Sequence, residues 1–491
     1  MDWIINGFSQ VLTLQNILIS FMGCFLGNLV GVLPGLGPTA SIALLFPFVL
    51  KLPPLSILIC LGAIYYGAMY GGSITSVLLN IPGEVASVPT AMDGYPLAKQ
   101  GRAGSTLLIC ALCSFFGCMV ALVCLSFFAP LLGRFALSFG PFEYFGLMVF
   151  SLLCVCGLTG KSVLQSLAMV CFGIVLSFVG VDISTSAYRL TFGSFKLLQG
   201  IGIIPIVVGV FGITEALDGI RSDASSIVTE EEGKFQRVMP TKREWKLSSK
   251  AAARGALIGT SLGILPGLTP STCTFIAYSL NEKFCVEKDK YGHGAIEGCA
   301  CAEAANNSAA MAGFIPLLAL GIPTGPVLAL VLAALIIQGV IPGPLMFTVH
   351  IDLTGAVIAG FFIGNIIMLI MNIPLIRFWV KIAKLPYKWL APIILFLCML
   401  GTFIIRYSYF DVWIMLLAGA FGFLAKKKNI PIPPLVLGLI LGRSIEMYFR
   451  QASSMGFEKI FSHPIGLGAI VLGVGLLIST QVLKSKKKIN L

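Results

Sequence analysis

The sequence predicts an all-α polytopic membrane protein, and its composition, its long apolar stretches and an internal repeat support this fold class. The 491-residue chain is 57% hydrophobic and 11% charged, with a mean hydropathy of +0.95. Soluble domains carry about 25% charged residues, so this chain has too little polar surface for a water-soluble globule. Apolar stretches such as 162–180, 353–373 and 465–483 are long enough to cross about 30 Å of hydrocarbon and lack the alternation of barrel strands.

The lengths of the apolar stretches predict about 11–13 transmembrane helices. Three stretches are too short to cross, and we predict half-helices or re-entrant helices at 39–50, 270–281 and 325–341. Residues 93–96, with the sequence DGYP, predict a turn in a loop because Asp, Gly and Pro are typical turn residues.

A twelve-residue pattern occurs twice, as GNLVGVLPGLGP at 27–38 and as GTSLGILPGLTP at 259–270. Seven of the twelve positions are identical, at an offset of 232 (259 minus 27). Two weaker correspondences follow, 71–73 with 306–308 at an offset of 235 and 81–83 with 322–324 at an offset of 241. Because internal repeats define architecture, we predict two related halves. Each has a helix broken at a Pro-Gly-Leu-x-Pro turn, then a small polar turn, then an Ile-Pro break.

The repeat divides the chain into a first half at 1–214, a cytoplasmic linker at 215–250 and a second half with the C-terminal helices at 251–491. The linker has many charges and too few apolar residues for a core. Residues 1–10 contain no Lys or Arg, whereas the stretch before residue 255 is rich in both. Because basic loops remain cytoplasmic, the first half is predicted to begin outside and the second inside, which makes the repeats inverted.

The two matching helix breaks are the main candidates for a transport site. Proline removes a backbone donor and glycine accepts a positive φ, so each pattern ends one helix and starts another. The restarting helix presents free N–H groups and partial positive charge, and two such ends aimed at one point bind an anion. The alternative is a pair of ordinary kinks. The candidate residues are Pro34, Gly35, Pro38 and Thr39 in the first half, and Pro266, Gly267, Ser271 and Thr272 in the second.

A second group of candidates is small or polar in an apolar context. Asn side chains and freed carbonyl groups bind Na⁺ or a carboxylate, so we predict a Na⁺ site near Asn306, Asn307 and Ser73. Glu303 lies beside the asparagines and is the candidate for ion or proton coupling. The alternative is helix contact through small residues. The remaining members of the group are Gly72, Thr75, Ser308, Pro323 and Thr324.

The net charge of +12 indicates membrane topology and not nucleic-acid binding. The basic residues concentrate in short loops and at the tail, at 99–102, 234–254, 377–388, 426–428 and 484–488. Short basic loops mark the cytoplasmic side, so we expect a multi-pass protein of the bacterial inner membrane with a cytoplasmic C-terminus.

Enzyme signatures are absent from the sequence. The three histidines form no HExxH pattern, and there is no G-x-S-x-G or Walker A motif. We therefore expect no enzymatic activity, no cofactor other than a coupling Na⁺ or H⁺, and no direct use of ATP by this chain.

Several motifs occur in one order between residues 31 and 323. They are GVLPGLGP at 31–38, YGGSIT at 70–75, DGYP at 93–96 with GRAG at 101–104, GAIEG at 294–298 with EAANN at 303–307, and LGIP at 320–323. Together they resemble the large permease subunit of the tripartite tricarboxylate transporters (TctA-type). The resemblance implies uptake of a di- or tricarboxylate such as citrate, driven by a Na⁺ or H⁺ gradient. It also implies two partners, an extracytoplasmic solute-binding protein and a small membrane subunit.

Two other classes of function remain open at this point. The chain is alternatively a stand-alone carrier or channel for another small solute, or an intramembrane enzyme. An enzyme needs paired catalytic groups at one depth, and the sequence shows none. Saturable, gradient-dependent uptake in vesicles identifies a carrier, and a strict need for a binding protein identifies the tripartite type.

Overall fold

The computed structural model describes residues 2–33, 36–158, 162–182, 184–222, 239–383, 387–456 and 463–489. Helices dominate these residues, and the strands within them are the short antiparallel pair β1 Gly180–Val181 and β2 Tyr188–Arg189. Nine helical segments of the described chain are long and apolar enough to cross a membrane, and three shorter apolar helices accompany them. The prediction of an all-α polytopic membrane protein is confirmed. The number of crossings and the inverted relation of the halves remain predictions.

Short 3₁₀ and π-helical turns lie between several of the α-helices. Short 3₁₀ turns occupy Val85–Ser87, Lys288–Lys290 and Pro344–Phe347, and π-helical turns occupy Ala98–Arg102 and Val208–Ile213. In chain order the helices are α1 Asp2–Val11, α2 Leu14–Gly31, α3 Pro38–Val49, α4 Pro54–Leu79, α5 Val88–Leu97, α6 Ala103–Ala136, α7 Pro141–Leu158, α8 Val163–Ser177, α9 Phe195–Leu198, α10 Ile203–Val207, α11 Thr214–Ser222, α12 Lys242–Gly263, α13 Pro270–Glu282, α14 Ile296–Ala312, α15 Phe314–Leu320, α16 Pro326–Ile337, α17 Ile351–Ala383, α18 Tyr387–Arg406, α19 Tyr409–Lys427, α20 Pro433–Ser454 and α21 Pro464–Ile489.

Corresponding helix pairs form the centre of the two halves. In the first half, α2 packs on α4, and a Cβ atom added at Gly27 would lie 2.3 Å from the carbonyl oxygen of Ile64. In the second half, α12 packs on α14, and a Cβ atom added at Gly259 would lie 2.4 Å from the carbonyl oxygen of Ala305. Only glycine permits backbones to approach so closely. The glycines shared by the two copies therefore set the register of both helix pairs.

Because Gly27 meets Ile64 of α4 and Gly259 meets Ala305 of α14, these two helices correspond at an offset of 241 residues (305 minus 64). The Ile-Pro breaks share this offset. α4 ends before Asn80 at φ 56°, and α15 ends before Gly321 at φ 71°, so both breaks follow a left-handed cap. The correspondence of 71–73 with 306–308, at an offset of 235, is wrong. At the offset of 241 that the packing gives, the residue equivalent to Asn306 in the first half is Tyr65.

The small polar turns predicted at 71–73 and 306–308 are also wrong, because both segments lie inside helices, the first in α4 and the second in α14. Small and polar residues remain helical there because their side chains bond to their own helix. The Thr75 hydroxyl donates to the carbonyl of Gly72 at 3.1 Å, and the Asn307 amide donates to the carbonyl of Glu303 at 3.1 Å.

The predicted linker at 215–250 is described only at its two ends. Residues 223–238 lie outside the described chain, while α11 extends to Ser222 and α12 begins at Lys242. Thr241 and Glu244 form a capping box, and Arg102 forms a salt bridge to Glu244. Burial alone would raise the pKa of the Glu244 carboxyl, but hydrogen bonds from Thr241 and Arg102 outweigh burial and lower it. The start of α12 is thus held by a charged carboxylate, and the cytoplasmic position of the linker remains a prediction.

Candidate functional site

The chain breaks of the two halves meet at one cavity of about 150 Å³. This volume has room for roughly ten water molecules. Residues from both Pro-Gly breaks and from both Ile-Pro breaks contribute to its wall. The lining residues are Pro38, Thr39, Tyr65, Glu84, Thr269, Pro270, Ser271, Thr324, Gly325, Pro326, Val327 and Leu328.

Three helices begin at this cavity, α3 at Pro38, α13 at Pro270 and α16 at Pro326. Each has proline in its first turn, where the missing N–H group is not needed. In the described chain, none of the three N-cap residues caps its helix with a side-chain hydrogen bond to a backbone N–H group. Free N–H groups and about half a positive charge per helix therefore face the cavity. This arrangement suits an anion.

Hydroxyl groups of lining residues add to these helix ends, and three of them belong to predicted site residues. Thr39 follows the first residue of α3, Ser271 follows the first residue of α13, and Thr324 lies in the break before α16. Each hydroxyl is able to donate one hydrogen bond to a carboxylate. The lining residues include no Lys or Arg, so within the described wall helix ends and hydroxyls supply the attraction for an anion.

A backbone hydrogen bond joins the Pro-Gly break and the Ile-Pro break of the second half. The Gly267 N–H donates to the Thr324 carbonyl at 3.0 Å. Gly267 has φ +83°, and an added Cβ atom would lie 2.9 Å from the carbonyl oxygen of Cys154, so this position requires glycine. Thr269 and Gly325 are the caps of α13 and α16, and a Cβ atom added at Gly325 would lie 3.4 Å from Thr269 Cγ2. The Pro-Gly turn therefore determines how α13 and α16 face the cavity.

Glu84 brings a carboxyl group to the same cavity. Its Oε1 accepts a hydrogen bond from the Asn306 amide at 3.0 Å. The other end of that amide, Asn306 Oδ1, is buried and has no hydrogen-bond partner within the described chain. An anion in the cavity would be repelled by an ionised Glu84. A cation or a proton at Glu84 would remove this repulsion, and Asn306 Oδ1 offers a free acceptor beside it.

Glu303 lies one helical turn before Asn307 on α14 and is buried among hydroxyl groups. Its carboxyl accepts hydrogen bonds from Ser73 at 2.7 Å, Thr90 at 2.6 Å and Ser114 at 2.9 Å. These donors belong to α4, α5 and α6, so the carboxyl joins four helices. No described Lys, Arg or His forms a salt bridge with it.

The structure divides the predicted site residues into three groups. Pro38, Thr39, Ser271 and Thr324 line the cavity, whereas Pro34 and Gly35 lie outside the described residues. The remaining predicted residues do not line it. Four of them lie in or beside the second-half breaks, namely Pro266, Gly267, Thr272 and Pro323, and seven lie within α4 and α14, namely Gly72, Ser73, Thr75, Glu303, Asn306, Asn307 and Ser308.

The residues of the predicted Na⁺ site have different hydrogen-bond partners in the structure. Ser73 donates to Glu303, Asn306 donates to Glu84, and Asn307 donates to its own helix. Among the described residues there is also no group of three or more His, Cys, Asp or Glu side chains that could hold a metal ion. A Na⁺ site therefore remains a prediction, and of its residues Asn306 is joined to the cavity through its hydrogen bond to Glu84.

The lining residues that the sequence did not select as site residues are Tyr65, Glu84, Thr269, Pro270, Gly325, Pro326, Val327 and Leu328. A signal existed for Glu84, because it directly follows an Ile-Pro-Gly break. Signals also existed for Thr269 and Pro270, which lie in the second Pro-Gly pattern, and for Gly325 and Pro326, which closely follow the second Ile-Pro break. Tyr65 lies inside α4, where no local pattern marks it, and it reaches the cavity through the packing of the helices.

The predicted loop turn at 93–96 is wrong, because these residues lie within α5 and Asp93 is buried. Asp93 Oδ1 accepts hydrogen bonds from the N–H groups of Gly294 and Ala295, both at 2.9 Å. Its Oδ2 accepts from the Tyr278 hydroxyl at 2.8 Å. The carboxylate stabilises the N-terminus of α14 through its backbone donors and positive end, which explains why Asp occurs in a buried helix.

Comparisons with known proteins extend over most of the chain. Residues 17–437 match the family described as "Tripartite tricarboxylate transporter TctA family". The chain is 42% identical over 487 residues to an Agrobacterium vitis protein described as "Uncharacterized 52.8 kDa protein in TAR-I ttuC' 3'region", covering 97% of this chain and 96% of that protein. It is 40% identical over 221 residues to a second Agrobacterium vitis protein, "Uncharacterized protein in TAR-II ttuC' 3'region", covering 44% of this chain and 90% of that protein. No solved structure matches the chain.

Proposed function

Because the chain belongs to the tripartite tricarboxylate transporter TctA family, we propose that it carries a di- or tricarboxylate such as citrate through the cavity between α3, α13 and α16. The family is a transporter family and not an enzyme family, and the chain is a multi-pass membrane protein. A tripartite transporter also has partner subunits and a binding protein. The substrate, the coupling ion and the residues that bind them belong to the proposal.

One observation carries the proposal. The cavity of about 150 Å³ receives the N-termini of three helices and the hydroxyls of Thr39, Ser271 and Thr324. Helix N-termini bind anions through free N–H groups and the helix dipole. Both halves contribute to this wall, and a substrate held between halves is accessible from either side when the halves move.

A Na⁺ or H⁺ gradient is proposed as the driving force because of Glu84. Its carboxyl lines the cavity, and the described wall provides no basic side chain to offset its charge. Bringing a multiply charged carboxylate beside an ionised Glu84 is unfavourable. A cation or proton that binds at Glu84 and Asn306 removes this cost. Binding of the cation and binding of the anion then favour each other, as coupled transport requires.

The remaining parts of the proposal concern partners and location. We assign the chain to the bacterial inner membrane, with a small membrane subunit beside it. An extracytoplasmic solute-binding protein delivers the carboxylate to the outer face. These assignments rest on the family and on the basic cytoplasmic loops.

The test is uptake of radiolabelled citrate and succinate into proteoliposomes that contain the chain, its small subunit and the binding protein. Ser271→Ala and Thr324→Val each remove one hydroxyl from the cavity. We expect each to raise the half-saturating concentration about tenfold, since hydrogen bonds to charged groups contribute about 1.5–3 kcal/mol.

Ser126→Ala is the matched control, because Ser126 lies on α6 and donates only to the carbonyl of Leu122. It should take up substrate like the wild type. Unchanged half-saturation in both cavity variants would remove the cavity from the transport path. Full uptake without the binding protein would favour a stand-alone carrier.

A further inference from the structure

A second cavity, of about 260 Å³, lies at the other end of α16. Ile336 and Ile337 at the C-terminal end of α16 line this second cavity, which we call the outer cavity. Pro326 at the N-terminal end of α16 lines the cavity of about 150 Å³ described above, which we call the central cavity. A twelve-residue helix is about 18 Å long, so one short helix separates the two cavities. α3 begins at the central cavity and ends near the C-terminal end of α16, because the Gln338 amide donates to the carbonyl of Leu50 at 2.9 Å.

Two arginines line this outer cavity, and both have spare hydrogen-bonding capacity. Arg443 donates from Nε to the Ser177 carbonyl at 3.1 Å, and its terminal nitrogens have no partner among the described residues. Arg406 has one long ion pair, 4.0 Å from Nε to Asp411 Oδ2. The other lining residues are mostly apolar, namely Ile201, Gly202, Ile203, Ile204, Pro205, Ile336, Ile337, Ile405, Leu439 and Ile440, and the polar uncharged ones are Ser177, Gln199, Thr402 and Ser444.

The two guanidinium groups lie against the same short segment. A Cβ atom added at Gly200 would lie 2.8 Å from Arg443 Nη2, and one added at Gly202 would lie 3.7 Å from Arg406 Cζ. The two groups thus approach positions two residues apart. Two arginines against one aspartate leave the cavity with net positive charge. Aliphatic walls of low dielectric strengthen the attraction of such a cavity for an anion.

Charge distribution assigns this cavity to the extracytoplasmic face. The helical segment 203–221 ends with Arg221, and α19 ends with Lys426 and Lys427. Basic ends of this kind are cytoplasmic, so the opposite ends of these segments, which line the outer cavity, face outside. Arg406 and Arg443 run against the general bias of basic residues toward the cytoplasm, and a binding role explains their presence.

We infer that Arg406 and Arg443 form an entry site that binds a carboxylate group of the substrate on the extracytoplasmic side before the anion reaches the central cavity. The inference rests on the proposed function and extends it to a second binding site. Arginine suits this task because its planar group binds a carboxylate through two parallel hydrogen bonds. The headgroup of an anionic lipid carries similar chemistry, and the experiment separates the two sources.

The experiment compares Arg406→Gln, Arg443→Gln and the double variant with the wild type in the reconstituted tripartite system, using radiolabelled citrate and succinate. We expect the double variant to raise the half-saturating concentration about tenfold or more with an unchanged maximal rate. Wild-type uptake at low substrate should fall as ionic strength rises, and the double variant should show a weaker dependence, because salt screens steering by charge.

Arg134→Gln is the matched control. It removes the same charge near the end of α6, and Arg134 is exposed and does not line the outer cavity. Each protein is assayed in zwitterionic lipid alone and with added anionic lipid.

Kinetics of the double variant equal to those of Arg134→Gln would overturn the entry site while leaving the proposed function intact. A double variant that loses only stimulation by anionic lipid would identify a lipid site and overturn the entry site as well. Absence of gradient-dependent uptake by the wild type would overturn the proposed function itself.

Discussion

At the scale of single residues, two carboxyl groups have different environments. Glu84 lines the central cavity and holds Asn306, whereas Glu303 is enclosed by the hydroxyls of Ser73, Thr90 and Ser114. Hydroxyl groups are able to donate to an ionised carboxylate and to accept from a protonated carboxyl. The Glu303 environment therefore accommodates a change in protonation without a change of partners.

Replacement of either carboxyl by an amide tests its part in coupling. We expect Glu303→Gln to reduce gradient-driven citrate uptake at least about tenfold, because an amide cannot exchange a proton or compensate a cation. Exchange of internal for external citrate should persist, since exchange needs no net movement of the coupling ion. Glu84→Gln provides the same measurement for the carboxyl in the cavity.

Glu282→Gln is the control for both variants, because Glu282 is exposed at the end of α13. Equal amounts of protein in the membrane are verified for every variant. Gradient-driven uptake at the wild-type rate by Glu303→Gln would leave that residue with a structural function only.

At the scale of elements, the Pro-Gly turn of the second half determines the geometry of α13 and α16. Pro266 precedes Gly267, which has a left-handed backbone and donates to the Thr324 carbonyl. Pro431 lies between α19 and α20 and does not line the central cavity. The two prolines thus differ in position, although each lies at a helix break.

We expect Pro266→Ala to reduce the initial rate of uptake more strongly than Pro431→Ala. Alanine in place of Pro266 releases φ and restores a donor, which permits α12 to continue, so α13 would no longer aim its N-terminus at the cavity. The measurement is the initial rate of citrate uptake at equal protein content. Equal losses in the two variants would show that the turn has no special importance for the cavity.

At the scale of the whole molecule, the relation of the two halves governs the mechanism. The halves share the packing of α2 on α4 and of α12 on α14, with glycine contacts in both pairs. They also share a left-handed cap before each Ile-Pro break. The inverted orientation of the halves is a prediction from charge, and labelling tests it.

We expect Ile5→Cys to react with a membrane-impermeant maleimide from outside, and Trp245→Cys to react only from the cytoplasmic side. Both side chains are exposed. The natural Cys171 is exposed and is first replaced by serine, whereas most other cysteines are buried. Reaction of both positions from one side would contradict an inverted repeat.

Much of the fold was predictable because it depends on local chemistry. Apolar length predicted spanning helices, and Pro and Gly predicted the starts of α3, α13 and α16 within one residue of those observed. The candidate site was predicted in part. Thr39, Ser271 and Thr324 were found because hydroxyls near a break are visible in the sequence, whereas Tyr65 and Glu84 enter the cavity through contacts between distant helices.

The sequence by itself determined that the chain is helical, crosses a membrane and has two matching helix breaks, because hydropathy, proline and glycine act on the residues beside them. Only the tertiary structure decided which side chains share the cavity. Close glycine contacts set the register of α2 on α4 and of α12 on α14, and long-range hydrogen bonds place Asn306 beside Glu84 and Ser73 beside Glu303. Such contacts join residues far apart in the chain, so no local pattern reveals them.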